Sequence, residues 1–291
     1  MVGKCFEWKI QVWDMILVTG AAGQLGTDVV SELKRRGTEH IGIDVAELDI
    51  TDSAAVVQLL TNYKPSCIIH CAAYTAVDKA EDEPDICNKI NITGTENIIL
   101  ACVDVGAKMM YISTDYVFDG SGDTPFETDA PKNALSVYGR SKSIGEDLTI
   151  QNLDRYYIVR ISGVFGKYGN NIAKTFQRLS IEREELSVVN DQIGSPTYTA
   201  DLAVLLCDII LSDKYGIYHA TNEGHCSWAQ FAEEVVRITG NKCKINPIPS
   251  EQYPTKARRP KNWRLSKQSL DDSGFNRLPT WQDALIRFFN E

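Results

Sequence analysis

The chain has 291 residues, of which 43% are hydrophobic, so it is long enough for one large domain or two unequal ones. It carries 30 basic and 39 acidic residues, and this net charge of −9 makes nucleic acid a poor partner. No apolar run reaches the roughly 18 residues of a membrane-spanning helix, so we expect no association with a membrane through such a span.

The cysteine and histidine pattern indicates a reducing compartment. The chain has eight cysteines without a CxxC pair, and its four histidines lack the spacing of metal ligands. We therefore expect free thiols in a cytoplasmic protein and no metal site.

Residues 1–14 lack the uninterrupted apolar segment of a signal peptide. We interpret them as an N-terminal extension ahead of a domain that begins at Met15. The alternation of apolar and polar residues within this segment also fits an edge strand.

From Met15 onwards, short apolar runs alternate with amphipathic segments. This rhythm is typical of a parallel sheet that helices cover on both faces, and we predict a doubly wound α/β Rossmann domain over 15–165. Strands are predicted over 15–20, 40–44, 67–73, 108–114 and 156–162. Helices are predicted over 24–36, 53–62, 85–105 and 136–151.

The alternation of apolar runs and amphipathic segments is less regular over residues 166–291. We predict a smaller C-terminal α/β region there, which binds the substrate and lies on the carboxyl ends of the strands, with some segments returning to the Rossmann domain. Its helices are predicted at 171–182, 200–211, 227–239 and 281–289.

A glycine-rich stretch, TGAAGQLG (19–26), joins the first predicted strand to the first helix. Gly20 permits the tight turn, Gly23 lets the backbone approach a pyrophosphate, and Gly26 allows the helix to pack closely on the strand. Because this motif has a strand before it and a helix after it, we predict a dinucleotide-binding site.

Asp44 ends the second predicted strand, 24 residues after Gly20. A carboxylate there can accept hydrogen bonds from the adenosine ribose and would repel a 2′-phosphate, which favours NADH slightly over NADPH. Arg35 and Arg36, at the end of the preceding helix, keep NADPH as an alternative.

Three residues from two other segments are candidate catalytic residues. Tyr138 and Lys142 are four apart in a predicted helix, so their side chains share one face about 6 Å apart at Cβ. Thr114, with Ser113 beside it, ends the fourth predicted strand, and ligands bind at the carboxyl ends of such strands.

The GxxGxxG loop followed by YxxxK resembles the extended short-chain dehydrogenase/reductase superfamily, in its branch that acts on nucleotide sugars. Within it, the chain is similar to the dTDP-4-dehydrorhamnose reductase family from Met15 to the C-terminus. The motifs that carry the resemblance are TGAAGQLG, AAYTAVDKAE (72–81), STDYVFDG (113–120), YGRSKSIGE (138–146), VRISGVFG (159–166), DQIGSPT (191–197) and ARRPKNWRL (257–265).

The resemblance implies NADH- or NADPH-dependent reduction of the C4 ketone of a dTDP-linked sugar. Tyr138 is then the general acid or base, Lys142 holds the nicotinamide ribose, and Thr114 hydrogen-bonds the reacting oxygen. A nearby ammonium would lower the pKa of Tyr138 from about 10.

Positions that match the family motifs are expected to bind the cofactor or the substrate. The cofactor set is Gly20, Gly23, Gln24, Leu25, Gly26, Asp44, Asp49, Ile50, Ala72, Ala73, Tyr74, Tyr138 and Lys142, and the substrate set is Thr114, Asp115 and Arg259. Arg259 belongs to a basic cluster, KARRPKNWR (256–264), that is expected to meet the nucleotide diphosphate. A solvated loop is the alternative interpretation of that cluster.

The sequence differs from related enzymes at two positions, and both differences bear on the reaction and the substrate that we predict. Asp115 is followed by Tyr116, whereas the 4,6-dehydratases of this superfamily have an Asp-Glu pair there, so dehydration is disfavoured. Gly163 stands where many relatives have a tryptophan that contacts the substrate, so that contact is absent or replaced.

Two alternatives stay open at the level of sequence: a nucleotide-sugar epimerase, and a cofactor-binding regulatory subunit. The expected partner is a small-molecule nucleotide sugar, and a homodimer is the assembly we consider. Some relatives are associated with Mg²⁺, although no local motif here specifies a magnesium site.

Overall fold

The computed structural model describes residues 15–290, so the prediction for the N-terminal extension lies outside the described residues. The strands of this part are β1 Ile16–Thr19, β2 His40–Ile43, β3 Cys67–His70, β4 Lys108–Thr114, β5 Tyr156–Ile161, β6 Val164–Phe165, β7 Glu185–Val189, β8 Ile193–Gly194, β9 Thr197–Tyr198, β10 Gly216–His219, β11 Cys226–Ser227, β12 Lys244–Ile248 and β13 Asn262–Trp263.

The single helix predicted over 85–105 is divided into a short helix, a π-helical segment and a longer helix that begins at Thr95. Apart from it and two short additional helices, Val77–Ala80 and Gln268–Asp272, the helices of the same part agree with the predicted ones to within one or two residues. They are α1 Gln24–Arg35, α2 Ser53–Tyr63, α3 Val77–Ala80, α4 Pro84–Asn88, α5 Thr95–Val105, α6 Val137–Asn152, α7 Ile172–Glu182, α8 Thr199–Ile210, α9 Trp228–Thr239, α10 Gln268–Asp272 and α11 Trp281–Asn290. A π-helical segment, Lys89–Gly94, joins α4 to α5.

Six parallel strands form the central sheet in the order β10-β5-β4-β3-β1-β2. The predicted α/β class with a parallel sheet is confirmed. The strand order reverses between β1 and β3, and ligands of such sheets bind at the carboxyl ends of the strands beside that reversal.

Apolar side chains cover both faces of this sheet, which explains why its strands are nearly continuous apolar runs. One face packs against α1 and α8, and the other against α2 and α5. The strand β10 and the helix α8 come from the second half of the chain, so this half contributes directly to the sheet and its core.

A separate apolar cluster holds the C-terminal region together. It contains the aromatic side chains of Phe165, Phe176, Tyr198, Phe231 and Trp281 and is built mainly from α7, α9 and α11. Two- and three-stranded sheets, β12-β7, β6-β9 and β11-β8-β13, flank this cluster. Within residues 15–290, none of the helices is both long and apolar enough to cross a membrane.

Candidate active site

The glycine-rich turn lies at the reversal of strand order. Gly20 has φ +67°, and a Cβ there would come within 2.7 Å of the backbone nitrogen of Ala72, after β3. A Cβ at Gly26 would collide with the carbonyl oxygen of Gly20. These two positions therefore require glycine, the first for its left-handed backbone and the second for close packing.

A cleft of about 940 Å³ extends from this turn across the carboxyl ends of the strands. All the residues predicted to bind the cofactor line it, as do Thr114 and Asp115. The sequence-based set thus converges on one cleft, with the exception of Arg259, although the role of each residue stays a prediction.

Asp44 lies at the end of the cleft nearest β2. Its carboxylate accepts hydrogen bonds from the N–H groups of Ala22 and Val45, both at 2.8 Å. Arg35 and Arg36 are engaged elsewhere, because both bind the carboxylate of Glu32 at 2.6 Å. Arg36 also pairs with Asp208 on α8 at 2.7 Å.

The helix α6 begins with a side-chain cap. Ser136 accepts a hydrogen bond from the N–H of Gly139 at 3.1 Å, which fixes the first turn and places Tyr138 within it. Lys142 follows one turn later and is almost fully buried. Both side chains face the cleft, as their four-residue spacing predicts.

Tyr138 lies within hydrogen-bonding reach of Thr114, the last residue of β4. Burial raises the pKa of Tyr138 above its usual value of 10, and the neighbouring carboxyl of Asp115 adds to this rise. The expectation that Lys142 lowers this pKa is therefore wrong here, because desolvation dominates. A phenol that keeps its proton is suited to donate it.

Lys142 lies with its Nζ 3.9 Å from the centre of the Tyr111 ring. Burial lowers the pKa of Lys142 to about 7, although the carboxylate of Glu146 opposes this shift. Burial also raises the pKa of Asp115 to about 7. Two side chains of the cleft thus change charge close to neutral pH.

Asn91 was missed by the sequence analysis. It lies buried in the π-helical segment, where its side-chain oxygen accepts from the N–H of Tyr74 at 2.7 Å. Its side-chain nitrogen donates to Ser141 Oγ at 2.9 Å, and Ser141 donates to the carbonyl of Tyr138 at 2.7 Å. Asn91 therefore joins the loop after β3 to the helix that carries Tyr138.

A buried ion pair was also missed. Glu146, one turn beyond Lys142, accepts from the guanidinium of Arg160 on β5 at 2.8 and 2.9 Å. It also accepts from Ser113 Oγ at 2.5 Å. The pair fixes α6 to the two central strands, and Arg160 completes its bonding with the carbonyl of Thr128 at 2.9 Å.

Arg259 lies in a second cavity, of about 700 Å³, beside the cleft. The cations of this cavity come from one segment and are Lys256, Arg258, Arg259 and Lys261. Arg259 binds the carboxylate of Asp78 at 2.6 Å and reaches the hydroxyl of Tyr116, which lines the cleft. The cavity and the cleft therefore adjoin at Tyr116.

Gly163 borders the cleft, and its φ of +53° is left-handed. A Cβ there would lie 3.0 Å from Trp263 and 3.2 Å from Trp228, whose rings stack with centres 4.8 Å apart. Two tryptophans from the C-terminal region thus occupy the space beside this position, which explains why glycine is accommodated.

Within residues 15–290, no three His, Cys, Asp or Glu side chains are grouped closely enough to hold a metal ion.

Comparisons with known proteins agree with this geometry. Residues 14–291 match the family model described as RmlD substrate binding domain. A dTDP-4-dehydrorhamnose reductase of Escherichia coli (strain K12) is 39% identical, over 95% of this chain and 97% of its own length. The spore coat polysaccharide biosynthesis protein SpsK of Bacillus subtilis (strain 168) is 38% identical, over 95% and 97%.

A solved structure is also similar to the whole fold. The crystal structure of a dTDP-4-dehydrorhamnose reductase from Bacillus anthracis str. Ames, in complex with NADP, is 42% identical. It has a TM-score of 0.93 and covers 95% of this chain and 99% of its own.

Proposed function

The chain belongs to the RmlD substrate binding domain family, and from this premise we propose that it is a dTDP-4-dehydrorhamnose reductase. The reaction is reduction of the C4 ketone of dTDP-4-dehydro-L-rhamnose to dTDP-L-rhamnose. A dihydronicotinamide cofactor supplies the hydride. The observation that carries the proposal is the convergence of Tyr138, Lys142 and Thr114 on the cleft that the glycine-rich turn opens.

The residues of the cleft divide the work as follows. Lys142 holds the ribose next to the nicotinamide, and Thr114 orients the ketone oxygen through its hydroxyl. Tyr138 donates a proton to that oxygen as hydride reaches the carbon. Because burial raises its pKa, Tyr138 is protonated before the transfer, and a positioned acid of this kind contributes about 10²–10⁴ in rate.

The cationic cavity suits the nucleotide diphosphate. Four basic side chains line it together with two acidic ones, Asp119 and Glu251, and Arg259 adjoins the catalytic end of the cleft through Tyr116. Guanidinium groups bind phosphate oxygens in pairs, which favours this end of the cavity for the pyrophosphate of the substrate.

The function can be tested by incubating the purified protein with dTDP- and UDP-linked 4-keto sugars and with either NADH or NADPH. The expected result is consumption of the cofactor with dTDP-4-dehydro-L-rhamnose, together with a C4 alcohol in the product by NMR. Formation of an epimer without net consumption of cofactor would favour an epimerase. No turnover of any sugar, together with a stable complex with another protein, would favour a regulatory subunit.

We further propose that NADH is the preferred cofactor. Asp44 and Asp49 lie near the adenosine end of the cleft, and Lys142, at the opposite end, is the one Lys or Arg among the cleft residues in the described part of the chain. A 2′-phosphate would therefore meet negative charge without a compensating cation, since Arg35 and Arg36 are held by Glu32.

The ratio of kcat/KM for NADH to kcat/KM for NADPH measures this preference. We expect a ratio above about 10 for the wild type, because a misplaced charge pair costs more than about 1.4 kcal/mol. Asp44→Ala with Val45→Arg should reverse the ratio, since Val45 is exposed beside Asp44. The alternative, NADPH, would be supported by a wild-type ratio of 1 or less.

Two further proposals concern the cellular compartment of the protein and its binding partners. The described cysteines are all free thiols, which supports a reducing, cytoplasmic compartment. The net charge of −9 argues against nucleic acid as a partner. The homodimer stays a prediction.

A further inference from the structure

Tyr116 lies between the cleft and the cationic cavity. It is the middle residue of a 3₁₀ turn, Asp115–Val117, that follows β4 directly. It borders the cleft together with Tyr138, while its hydroxyl reaches Arg259 in the cavity. The mechanism proposed above gives this side chain no task.

Three contacts join Tyr116 to Tyr138, to Thr114 and to the first turn of α6. Its ring meets the ring of Tyr138 edge to face, with centres 5.6 Å apart and planes at 75°. Its N–H donates to the hydroxyl oxygen of Thr114 at 3.2 Å. Its carbonyl oxygen lies against the first turn of α6, so close that a Cβ at Gly139 would collide with it. A displacement of Tyr116 would therefore move Tyr138 or Thr114.

The other end of Tyr116 is held by a group that can exchange partners. Arg259 binds Asp78 at 2.6 Å, and the side chains of this pair are 26% and 43% exposed. A partly exposed ion pair of this kind is weak in water, whereas a diphosphate offers several anionic oxygens to one guanidinium. Burial raises the pKa of the Tyr116 hydroxyl to about 12, although the interaction with Arg259 opposes this rise, so the hydroxyl stays a neutral phenol.

We propose that Tyr116 is a positioning residue that couples binding of the nucleotide diphosphate to alignment of Tyr138. When the diphosphate engages Arg259, the guanidinium fixes the Tyr116 hydroxyl, and the Tyr116 ring holds the phenol of Tyr138 against the ketone. Tyr116 itself touches neither hydride nor proton. This inference rests on the function proposed above and adds to it a reason why a sugar without its nucleotide would be a poor substrate.

The coupling predicts that a change at Tyr116 lowers kcat but leaves the affinity for the nucleotide nearly unchanged. Tyr116→Phe keeps the ring against Tyr138 and removes only the hydroxyl that Arg259 holds. We expect kcat for dTDP-4-dehydro-L-rhamnose to fall about tenfold, the usual effect of losing a hydrogen bond to a charged group. The dissociation constant for dTDP, measured by calorimetry, should change less than about twofold, because Arg259 still binds the phosphates.

A second variant separates the coupling from the charge. Arg259→Lys keeps a cation for the phosphates but loses the planar guanidinium that reaches Tyr116. It should also lower kcat about tenfold, and combining it with Tyr116→Phe should lower kcat no further, since both changes break one link. This variant decides the question if Tyr116→Phe does not fold.

The control is Tyr63→Phe, at the exposed end of α2, which should keep the wild-type kcat. The melting temperature and the NADH dissociation constant of each variant report on folding. Tyr116→Phe with wild-type kcat, or with weaker dTDP binding alone, would overturn the coupling while leaving the reductase intact. A wild-type protein without turnover would overturn the proposed function and the coupling with it.

Discussion

At the scale of single residues, the cleft brings together three groups with shifted pKa values, Tyr138, Lys142 and Asp115. The proposed reduction requires a protonated phenol at Tyr138 and a positive charge to stabilise the phenolate after transfer. Burial supplies the first by raising the pKa of Tyr138. Burial works against the positive charge, because it lowers the pKa of Lys142 to about 7.

The affinity for NADH should therefore depend on pH. The amine of Lys142 is charged below pH 7 and neutral above it, since its pKa is lowered to about that value. A charged amine binds the ribose hydroxyls more strongly, so we expect several-fold tighter NADH binding at pH 6 than at pH 8.5, measured by fluorescence titration. Lys142→Met should bind NADH more weakly at pH 6 and lose this dependence.

Asp115 provides the control for that experiment, because its pKa of about 7 falls in the same range. Asp115→Asn should keep the pH dependence of NADH binding if Lys142 is its origin. Wild-type affinity that is flat between pH 6 and 8.5, or dependence that survives in Lys142→Met, would contradict the assignment to Lys142.

Some of these residues could be predicted from sequence and some could not. The pair of Tyr138 and Lys142 is local, because a four-residue spacing within one helix fixes their common face. Asn91 could not be found in this way, since its partners Tyr74 and Ser141 lie 17 and 50 residues away. The raised pKa of Tyr138 was missed for a related reason, because desolvation depends on the whole fold.

At the scale of secondary-structure elements, α6 is the element on which the proposed chemistry depends. It carries Tyr138, Lys142 and Glu146 on successive turns and packs closely on β4, where Gly145 leaves room for the Tyr111 hydroxyl. The ion pair of Glu146 with Arg160 is its main polar anchor, with side chains 0% and 2% exposed.

Breaking this ion pair should be costly. Glu146→Gln leaves the Arg160 guanidinium buried without its counter-charge, and we expect the free energy of unfolding to fall by about 3–5 kcal/mol. Denaturant titration measures this loss. The matched control is Glu182→Gln, which breaks the exposed pair with Arg178 and should cost less than about 1 kcal/mol. Equal losses in the two variants would show that Glu146 is not the anchor of α6.

The π-helical segment is the element that sequence patterns describe least well. Residues 85–105 have the periodicity of one long helix, and Gly106 follows it with φ +70°. The wider turn at Lys89–Gly94 gives no apolar signal of its own, yet it brings Asn91 to Tyr74. Such local widening is frequently found at functional sites.

At the scale of the whole molecule, motifs that are distant in sequence meet around one site. Asp78 of AAYTAVDKAE binds Arg259 of ARRPKNWRL, and Arg259 reaches Tyr116 of STDYVFDG. Glu81 of the first motif accepts from the N–H of Val137, at the start of α6. Three of the motifs that indicated the family therefore join the cleft to the cationic cavity.

The central sheet was predictable because its strands are buried on both faces and appear as uninterrupted apolar runs. The position of β10 beside β5 could not be predicted. The strand β10 follows β5 by more than 50 residues, and pairing across such a distance leaves no local pattern in the sequence. The same holds for the stack of Trp228 on Trp263 next to Gly163.

Transfer of deuterium from NADH, labelled at the transferred position of its nicotinamide ring, tests the proposed reduction most directly. With the wild-type protein, the label should appear at C4 of the dTDP-linked sugar. With Tyr138→Phe, the rate should fall by about 10²–10⁴ while NADH still binds. A sugar product without deuterium at C4, or an undiminished rate in Tyr138→Phe, would contradict hydride transfer assisted by this phenol.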